Sequence, residues 1–189
     1  MAIKLDPEDP DFFYNRGNAF DSLGKYRSAI KSYDKAIDID QKYANAYVNR
    51  GYARYKNGEK KLALEDFKKG IQLGSNNVET VSIAYLNLGV FKFDLGEYKK
   101  SIEYYDKGIE LNPEDPDLFY ARGIAKNSLN KFEEAIKDFN NAIKIDPNHY
   151  KSYFYRGYIK IELNDNEGAV QDFNIAIDRN TKDKEIKFL

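Results

Sequence analysis

Apolar residues recur at helical spacing along the chain, in blocks separated by glycine, asparagine or proline. The spacing predicts a first helix over Asp11 to Leu23 and a second over Tyr26 to Ile39. The same two-helix pattern returns through the rest of the sequence. We therefore predict an all-α fold built from helix pairs.

Each predicted first helix is followed by a residue that tolerates a left-handed backbone. Glycine and asparagine occupy this position because they accept the conformation that ends a helix at low cost. The five residues are Gly24, Gly58, Gly96, Asn130 and Asn164. The turns after the second helices include Asn112-Pro113 and Asp146-Pro147, where proline prevents the helix from continuing.

A fixed period underlies these blocks. Glycines recur at spacings of 34, 38, 34 and 34 residues, namely Gly17, Gly51, Gly89, Gly123 and Gly157. Twelve residues after each glycine comes a small residue: Ala29, Ala63, Ser101, Ala135 and Ala169. Sixteen after each comes an aromatic: Tyr33, Phe67, Tyr105, Phe139 and Phe173. Small residues let helices approach closely and aromatics fill the space between them, so these columns predict a tandem repeat of packed helix pairs.

These columns resemble the tetratricopeptide repeat, a helix–turn–helix unit of 34 residues. The resemblance covers five units, 10–43, 44–77, 82–115, 116–149 and 150–183. It implies a single α-solenoid, a right-handed superhelix of antiparallel helix pairs. Two departures stand out: Gln41, Ser75 and Thr181 replace the usual proline, and Arg16, Arg50, Arg122 and Arg156 replace the usual leucine before the glycine.

The ends and the one irregular spacing have their own interpretations. Residues 1–9 match the end of a preceding second helix, since Ala2–Pro7 resembles Ala142–Pro147. Residues 184–189 are expected to form a short tail or a partial capping helix, with Thr181 as its cap. We interpret the chain as an excised part of a longer array, the alternative being a small protein with ragged ends. The insertion 78–81 predicts that the third unit's first helix begins one turn early, capped by Asn77.

Composition excludes several functional classes. The 30 basic and 31 acidic residues balance to a net charge of −1, which does not favour nucleic-acid binding. The chain contains no cysteine, which rules out disulfides and thiolate metal sites. No stretch approaches the roughly 20 apolar residues of a membrane span, and no signal peptide opens the chain. We expect a cytoplasmic location.

A second apolar stripe runs along the first helices, beside the stripe that packs on the second helices. Most globular helices carry one apolar stripe, so the second predicts either packing between neighbouring helices or an exposed binding surface. The resemblance implies that this stripe lines a concave groove that binds a peptide or helix of a protein partner. The candidate groove residues, with the neighbouring asparagines, are Tyr14, Asn18, Val48, Asn49, Tyr52, Tyr55, Leu86, Asn87, Val90, Phe93, Tyr120, Ile124, Asn127, Phe154, Tyr158 and Ile161.

Some members of the resembled family grip a C-terminal carboxylate with lysine, arginine and asparagine side chains. Asn18 and Asn49 match the two asparagines, but Tyr14, Ile83 and Asn87 stand where the cations belong. Charge-assisted hydrogen bonds to a carboxylate need those cations. Chaperone tails of the carboxylate-clamp type are therefore not expected as partners.

A charge pattern predicts ion pairs inside three units. The second, fourth and fifth units carry a base before the glycine, a base four residues later and an acid before the second helix's aromatic. The acids are Asp66, Asp138 and Asp172, and the first and third units lack them. We predict a helix-to-helix ion pair within each of these three units, which fixes the helix geometry more than it adds stability. The alternative is that the arginines face an anionic ligand.

No constellation for catalysis is present in the sequence. The one histidine, His149, is predicted to be a solvated residue of a turn, and no metal-ligand cluster, phosphate-binding loop or cofactor motif occurs. We expect a non-catalytic protein-interaction module. The alternatives are a scaffold that self-associates through its groove or uncapped ends, and a chaperone or assembly factor for secretion or envelope machinery.

Overall fold

The computed structural model describes residues 8–186, with side chains as far as residue 180. This range contains ten helices and no strand. They are α1 (Pro10–Ser22), α2 (Tyr26–Ile39), α3 (Ala44–Lys56), α4 (Lys60–Leu73), α5 (Val78–Phe93), α6 (Tyr98–Leu111), α7 (Pro116–Asn127), α8 (Phe132–Ile145), α9 (Tyr150–Glu162) and α10 (Asn166–Ile186). The all-α solenoid fold is confirmed, and the predicted bounds of α2 are correct. The interpretation of residues 1–7 lies outside the described range.

The helix ends follow from local chemistry. Asp9 and Asp115 accept hydrogen bonds from the backbone amides of Asp11 and Asp117, which caps α1 and α7. Proline occupies the first position of both helices, where its missing N–H is not needed. The predicted stop residues all have positive φ, from 57° at Asn130 to 88° at Gly58, so the left-handed turn after each first helix is confirmed.

The recurring glycines lie directly beneath the recurring aromatic rings. A Cβ atom built on Gly51 would lie 2.8 Å from the ring of Phe67, and one on Gly123 would lie 2.8 Å from the ring of Phe139. Both rings are fully buried. Each glycine therefore creates the space in which its unit's aromatic packs, and this contact joins the two helices of a unit.

The described residues form two compact units, one ending at Leu88 and the other beginning at Gly89. In the first, α1 packs on α2, α3 on α4, and α3 also on α2. In the second, α7 packs on α8, α9 on α10, and α7 and α9 each pack on the second helix before them. Buried alanines line these contacts, including Ala29, Ala36, Ala46, Ala135 and Ala142.

Two irregular elements test the sequence interpretation. The α5 helix begins at Val78, and the side chain of Asn77 accepts a hydrogen bond from the amide of Thr80 at 3.0 Å. The prediction that the insertion extends this helix by one turn is confirmed. The α10 helix runs through Thr181 to Ile186 without a break, so the expectation that Thr181 caps a separate short helix is wrong. Residues 187–189 of the expected tail lie outside the described range.

Candidate protein-binding surface

The candidate groove residues lie on the first helices, and in the compact unit that ends at Leu88 a polar network joins three of them to Tyr33 of the core. The Tyr33 hydroxyl donates to Oδ1 of Asn18 at 2.8 Å. Nδ2 of Asn49 donates to the same oxygen at 2.9 Å and to the hydroxyl of Tyr14 at 3.0 Å. These bonds use Oδ1 of Asn18 and Nδ2 of Asn49 and hold both side-chain amides in place.

This network borders a polar pocket of about 120 Å³. Its lining includes Tyr14, Asn49, Asn77, Glu79 and Ile83. Two of the three positions at which a carboxylate clamp would supply cations, Tyr14 and Ile83, lie at this pocket. Glu79 adds a negative charge instead, so the pocket disfavours a carboxylate.

Val48 does not offer the exposed apolar surface that the stripe predicted. Its side chain is 1% exposed and packs between the helices, close to the backbone of Gly70. A neighbouring glycine lets it sink into the core, so it presents little apolar surface, although it also lines the polar pocket. Tyr52 and Tyr55 remain half-buried on the same helix, and the ammonium of Lys56 lies 5.4 Å and 5.7 Å from their ring centres.

Asp21 continues the stripe along α1. Its Oδ1 atom is buried and accepts no hydrogen bond from the described residues. Burial raises the pKa of this carboxyl, and the positive charge of Lys56 acts in the opposite direction. Asn127 holds the equivalent place on α7, and its Oδ1 atom is likewise buried without a hydrogen bond.

In the compact unit that begins at Gly89, most of the stripe is partly covered by neighbouring helices. The ring of Tyr120 lies 5.2 Å from that of His149 and 5.7 Å from that of Tyr155. Burial, and then the proximity of Tyr155, raises the pKa of the Tyr120 hydroxyl. Ile124 packs at the edge of the same core, while Val90 and Phe93 are half-buried on α5. Leu86 and Asn87, on the part of α5 that belongs to the compact unit ending at Leu88, are also half-buried.

The stripe is most open on α9. Phe154 is 50% exposed, Tyr158 is 47% exposed and Ile161 is 46% exposed. Their spacing places them on one side of the helix, where they form an apolar ridge. Exposed apolar surface of this kind is the usual mark of an interaction site.

The predicted ion pairs form in all three units and point inwards. In the fourth unit, Arg122 makes two hydrogen bonds to Asp138, at 2.9 Å and 2.7 Å, and Lys126 lies 2.8 Å from the same carboxylate. Arg50 and Arg54 hold Asp66 in the same way, and Arg156 and Lys160 hold Asp172. The arginines therefore bind acids of their own unit, as predicted, and do not face the stripe.

The sequence interpretation missed a second acceptor for each of these arginines. Nη1 of Arg50 donates to Asp34 at 2.7 Å, and Nη1 of Arg122 donates to Asp106 at 2.6 Å. Arg156 makes the equivalent bond to Asn140. Each acceptor lies on the second helix of the preceding repeat, directly after the aromatic column. The acid or amide at this position could therefore have indicated the contact between repeats.

His149 is not the solvated turn residue that we predicted. Its Nδ1 atom lies 2.7 Å from the hydroxyl of Ser152, and its Nε2 atom lies 3.2 Å from the carboxylate of Asp117. The hydrogen bond to His149 lowers the pKa of Asp117. Tyr43 makes the equivalent contact with Asp11 in the first repeat. The turn residue therefore ties the first helices of adjacent repeats together, which sequence reasoning did not reveal.

Residues 8–186 present neither a cluster of three or more side chains suited to holding a metal ion nor a helix long and apolar enough to cross a membrane. The surface as described consists of amides, tyrosines and apolar side chains. Its chemistry suits hydrogen bonding to a polypeptide backbone and burial of apolar side chains.

Curated relatives match parts of this chain. A small glutamine-rich tetratricopeptide repeat-containing protein 2 from Mycosarcoma maydis is 37% identical over 76 residues, which are 40% of this chain and 22% of that protein. Hsp70-Hsp90 organizing protein 2 from Arabidopsis thaliana is 31% identical over 78 residues, 41% of this chain and 14% of that protein. The matched segments thus span about a fifth or less of these relatives.

Solved structures match over nearly the whole chain. MamA is 23% identical with a TM-score of 0.70, and the match covers 97% of this chain and 99% of MamA. YrrB, described as a TPR protein with an unusual peptide-binding site, is 25% identical with a TM-score of 0.61, covering 94% and 89% of the two chains. These likenesses agree with the solenoid of helix pairs.

Family models match most of the chain. Tetratricopeptide repeat models match residues 44–77, 82–115, 116–149 and 139–171, and a TPR repeat model matches residues 17–58. These ranges coincide with the helix pairs and columns described above. The chain belongs to the tetratricopeptide repeat family.

Proposed function

We propose that this protein is a non-catalytic interaction module whose first-helix stripe binds a peptide or helix of a partner protein. The observation that carries the proposal is the apolar ridge of Phe154, Tyr158 and Ile161 on α9, whose members are each about half exposed. A helix with polar residues on that side would be more soluble, so the exposed apolar area favours a binding role. The relatives support the coarser statement of a protein-binding scaffold.

Each of the two compact units offers its own kind of contact. The amide network of Asn18 and Asn49 offers one donor and one acceptor, the pair that a peptide backbone presents in return. The α9 ridge offers aromatic and branched side chains, the types that anchor interfaces. We infer two separate contact surfaces: the unit that ends at Leu88 hydrogen-bonds a peptide backbone, and the unit that begins at Gly89 buries apolar side chains.

The charge of the polar pocket narrows the ligand class. Glu79 lies at this pocket, and Tyr14 is held there by its hydrogen bond to Asn49. An incoming carboxylate would meet a negative charge and no cation. We therefore propose that the ligand is an internal or amino-terminal segment, neutral or basic where it meets this pocket, and not an acidic chain terminus.

A displayed library of random linear peptides tests the proposal. Peptides selected on the wild-type chain are measured by fluorescence anisotropy against the double variant Tyr158→Asp, Ile161→Asp. We expect binding to weaken by about tenfold or more, because central aromatic contacts often contribute more than 1 kcal/mol. Leu62→Asp is the matched control, since Leu62 is similarly exposed but lies on the second helix α4.

The opposite results are equally informative. Equal affinity of wild type and double variant would show that the α9 ridge is not the binding surface. A selection dominated by peptides with an acidic free terminus would contradict the inference about the polar pocket. Asn49→Ala should weaken those selected peptides that contact the amide network, and unchanged affinity of every selected peptide would exclude this network as a contact.

A further inference from the structure

The polar pocket of about 120 Å³ is formed by three successive first helices of one compact unit. Tyr14 belongs to α1, Asn45 and Asn49 belong to α3, and Glu79 and Ile83 belong to α5. The pocket therefore lies where neighbouring repeats meet inside the array, and its walls are fixed by the packing of these helices.

The innermost wall of the pocket directs two amide oxygens towards it. Thr80 is 4% exposed, and its hydroxyl donates to Oδ1 of Asn45. Its backbone amide donates to Oδ1 of Asn77 at 3.0 Å. This cap occupies an amide that would otherwise favour an anion at the start of α5. Each of the two oxygens has a second lone pair, which remains for a further donor.

The side chain of Asn49 presents a third oxygen. Its Nδ2 atom donates to the hydroxyl of Tyr14 at 3.0 Å and to Oδ1 of Asn18 at 2.9 Å. A primary amide has two N–H donors and one oxygen, so both donors of Asn49 are in use. The part of this amide that a ligand can bind is therefore its oxygen.

The charge at the pocket has one sign. The exposed carboxylate of Glu79 forms no ion pair within the part of the chain that the structure describes. The described lining of the pocket contains neither lysine nor arginine. A bound cation would thus meet one uncompensated negative charge, together with amide oxygens that are already oriented.

An apolar side chain adjoins these oxygens. Ile83 lines the pocket and is 38% exposed. A lysine side chain lays its carbon stem along apolar surface while its charged end reaches a polar site. Its compact ammonium carries three donors that point in different directions, which suits oxygens supplied by separate helices. Arginine instead needs acceptors that match its planar fork.

We propose that this pocket is a subsite for a primary ammonium group of the ligand, carried by a lysine side chain or by an amino terminus. The ammonium donates to the oxygens of Asn49, Asn77 and Glu79, and the adjoining carbons lie against Ile83. The assignment rests on the proposed function and narrows it, because a neutral group would leave the Glu79 charge without a partner.

Three small probes test the subsite directly. Nα-acetyl-lysine N-methylamide carries a side-chain ammonium, alanine N-methylamide carries only an α-ammonium, and Nα-acetyl-norleucine N-methylamide has the lysine stem without the charge. Each is added at low ionic strength up to about 50 mM, a range that reports millimolar dissociation constants. Nitrogen-15 NMR follows the side-chain amides of Asn45, Asn49 and Asn77. We expect saturable shifts with an ammonium probe and none with the norleucine probe, and the probe that responds identifies the source of the ammonium.

Two variants separate the charge of the pocket from the general charge of the protein. Glu79→Gln should weaken binding of the ammonium probe by about two- to fivefold, the range of an exposed ion pair. Glu65→Gln is the matched control, because Glu65 is an exposed acid on α4 that does not line the pocket, and it should bind as the wild type does. Both residues are exposed, and circular dichroism confirms that both variants are folded.

A charge reversal completes the test. Ile83→Lys combined with Glu79→Gln places a cation beside the same amides, so this variant should lose the ammonium probe and bind acetate instead. Equal shifts from the norleucine and lysine probes, no saturable shift with either ammonium probe, or unchanged binding in Glu79→Gln would each overturn the proposal. These titrations do not involve the α9 ridge, so their failure leaves the peptide selection on Tyr158 and Ile161 to decide the proposed function.

Discussion

The buried carboxylate of Asp138 offers the sharpest test of what holds a repeat together. It is 2% exposed, receives two hydrogen bonds from Arg122 and lies 2.8 Å from the ammonium of Lys126. Asp138→Asn keeps the volume and one acceptor oxygen but removes the charge. The side-chain amide N–H group that replaces one carboxylate oxygen would face the donors of Arg122 and Lys126 and could not accept a hydrogen bond from them.

The expected cost follows from the burial of this cluster. Breaking a buried ion pair by removing one partner costs about 3–5 kcal/mol, because a charge is left uncompensated. Since asparagine can still accept one bond, we expect the free energy of unfolding to fall by about 2–4 kcal/mol. For a chain of this size each kcal/mol lowers the melting temperature by about 2–4 °C, so a decrease of about 5–15 °C is expected.

Thermal and urea unfolding followed by circular dichroism measure the effect. Asp106→Asn is the matched control, because Asp106 accepts from the same arginine at 2.6 Å but has a 46% exposed side chain. Exposed pairs contribute about 0–1 kcal/mol, so this variant should change little. If the two variants have the same small effect, the reasoning from burial is refuted. Loss of peptide binding by a stable Asp138→Asn protein would favour a ligand role for Arg122.

Three further outcomes are expected. Gly123→Ala should lower the free energy of unfolding by about 1–3 kcal/mol, because its methyl group would lie 2.8 Å from the Phe139 ring; unchanged stability in urea unfolding would contradict this packing. Asn77→Ala should cost about 1 kcal/mol and speed amide hydrogen exchange in the first turn of α5 alone, since it removes the cap. The His149 contact holds the pKa of Asp117 below its ordinary value of about 4. That contact therefore stabilises the fold above this pH, and the stabilisation disappears as the pH falls through the lowered pKa. Asp117→Asn should thus lower stability at pH 7 but not near about pH 2, and an equal effect at both pH values would exclude the carboxylate as the cause.

Local features of the fold were predictable from the sequence because they depend on residues close together in the chain. A glycine or asparagine after a helix adopts positive φ through its own steric properties, as Gly58 and Asn164 do. The early start of α5 needed only a four-residue insertion and a capping side chain. Helix bounds such as Tyr26–Ile39 followed from the spacing of apolar residues.

Contacts within one repeat were also predictable, because the period aligns equivalent residues. An acid stands at the repeat position of Asp138 only in those repeats that also carry both bases. This covariation among five copies pointed to an ion pair, which the structure contains. The second acceptor, Asp106, escaped notice because it belongs to the preceding repeat. Finding it requires knowing how far one repeat is shifted along the next, which no spacing within a unit reveals.

Burial on the candidate surface was decided by tertiary structure. The sequence by itself determined that the first helices carry a second apolar stripe, since this follows from residue type and helical period. It could not show that Val48 sinks against Gly70 while Tyr158 stays half exposed. It also could not show that His149 is enclosed by Ser152 and Asp117. Exposure depends on which neighbour packs against a given side of a helix and how closely, and that neighbour comes from the same repeat for Val48 and from another helix pair for Ser152 and His149. The sequence therefore determined the repeat and its internal ion pairs, whereas the closeness of packing, within and between repeats, decided which side chains remain exposed.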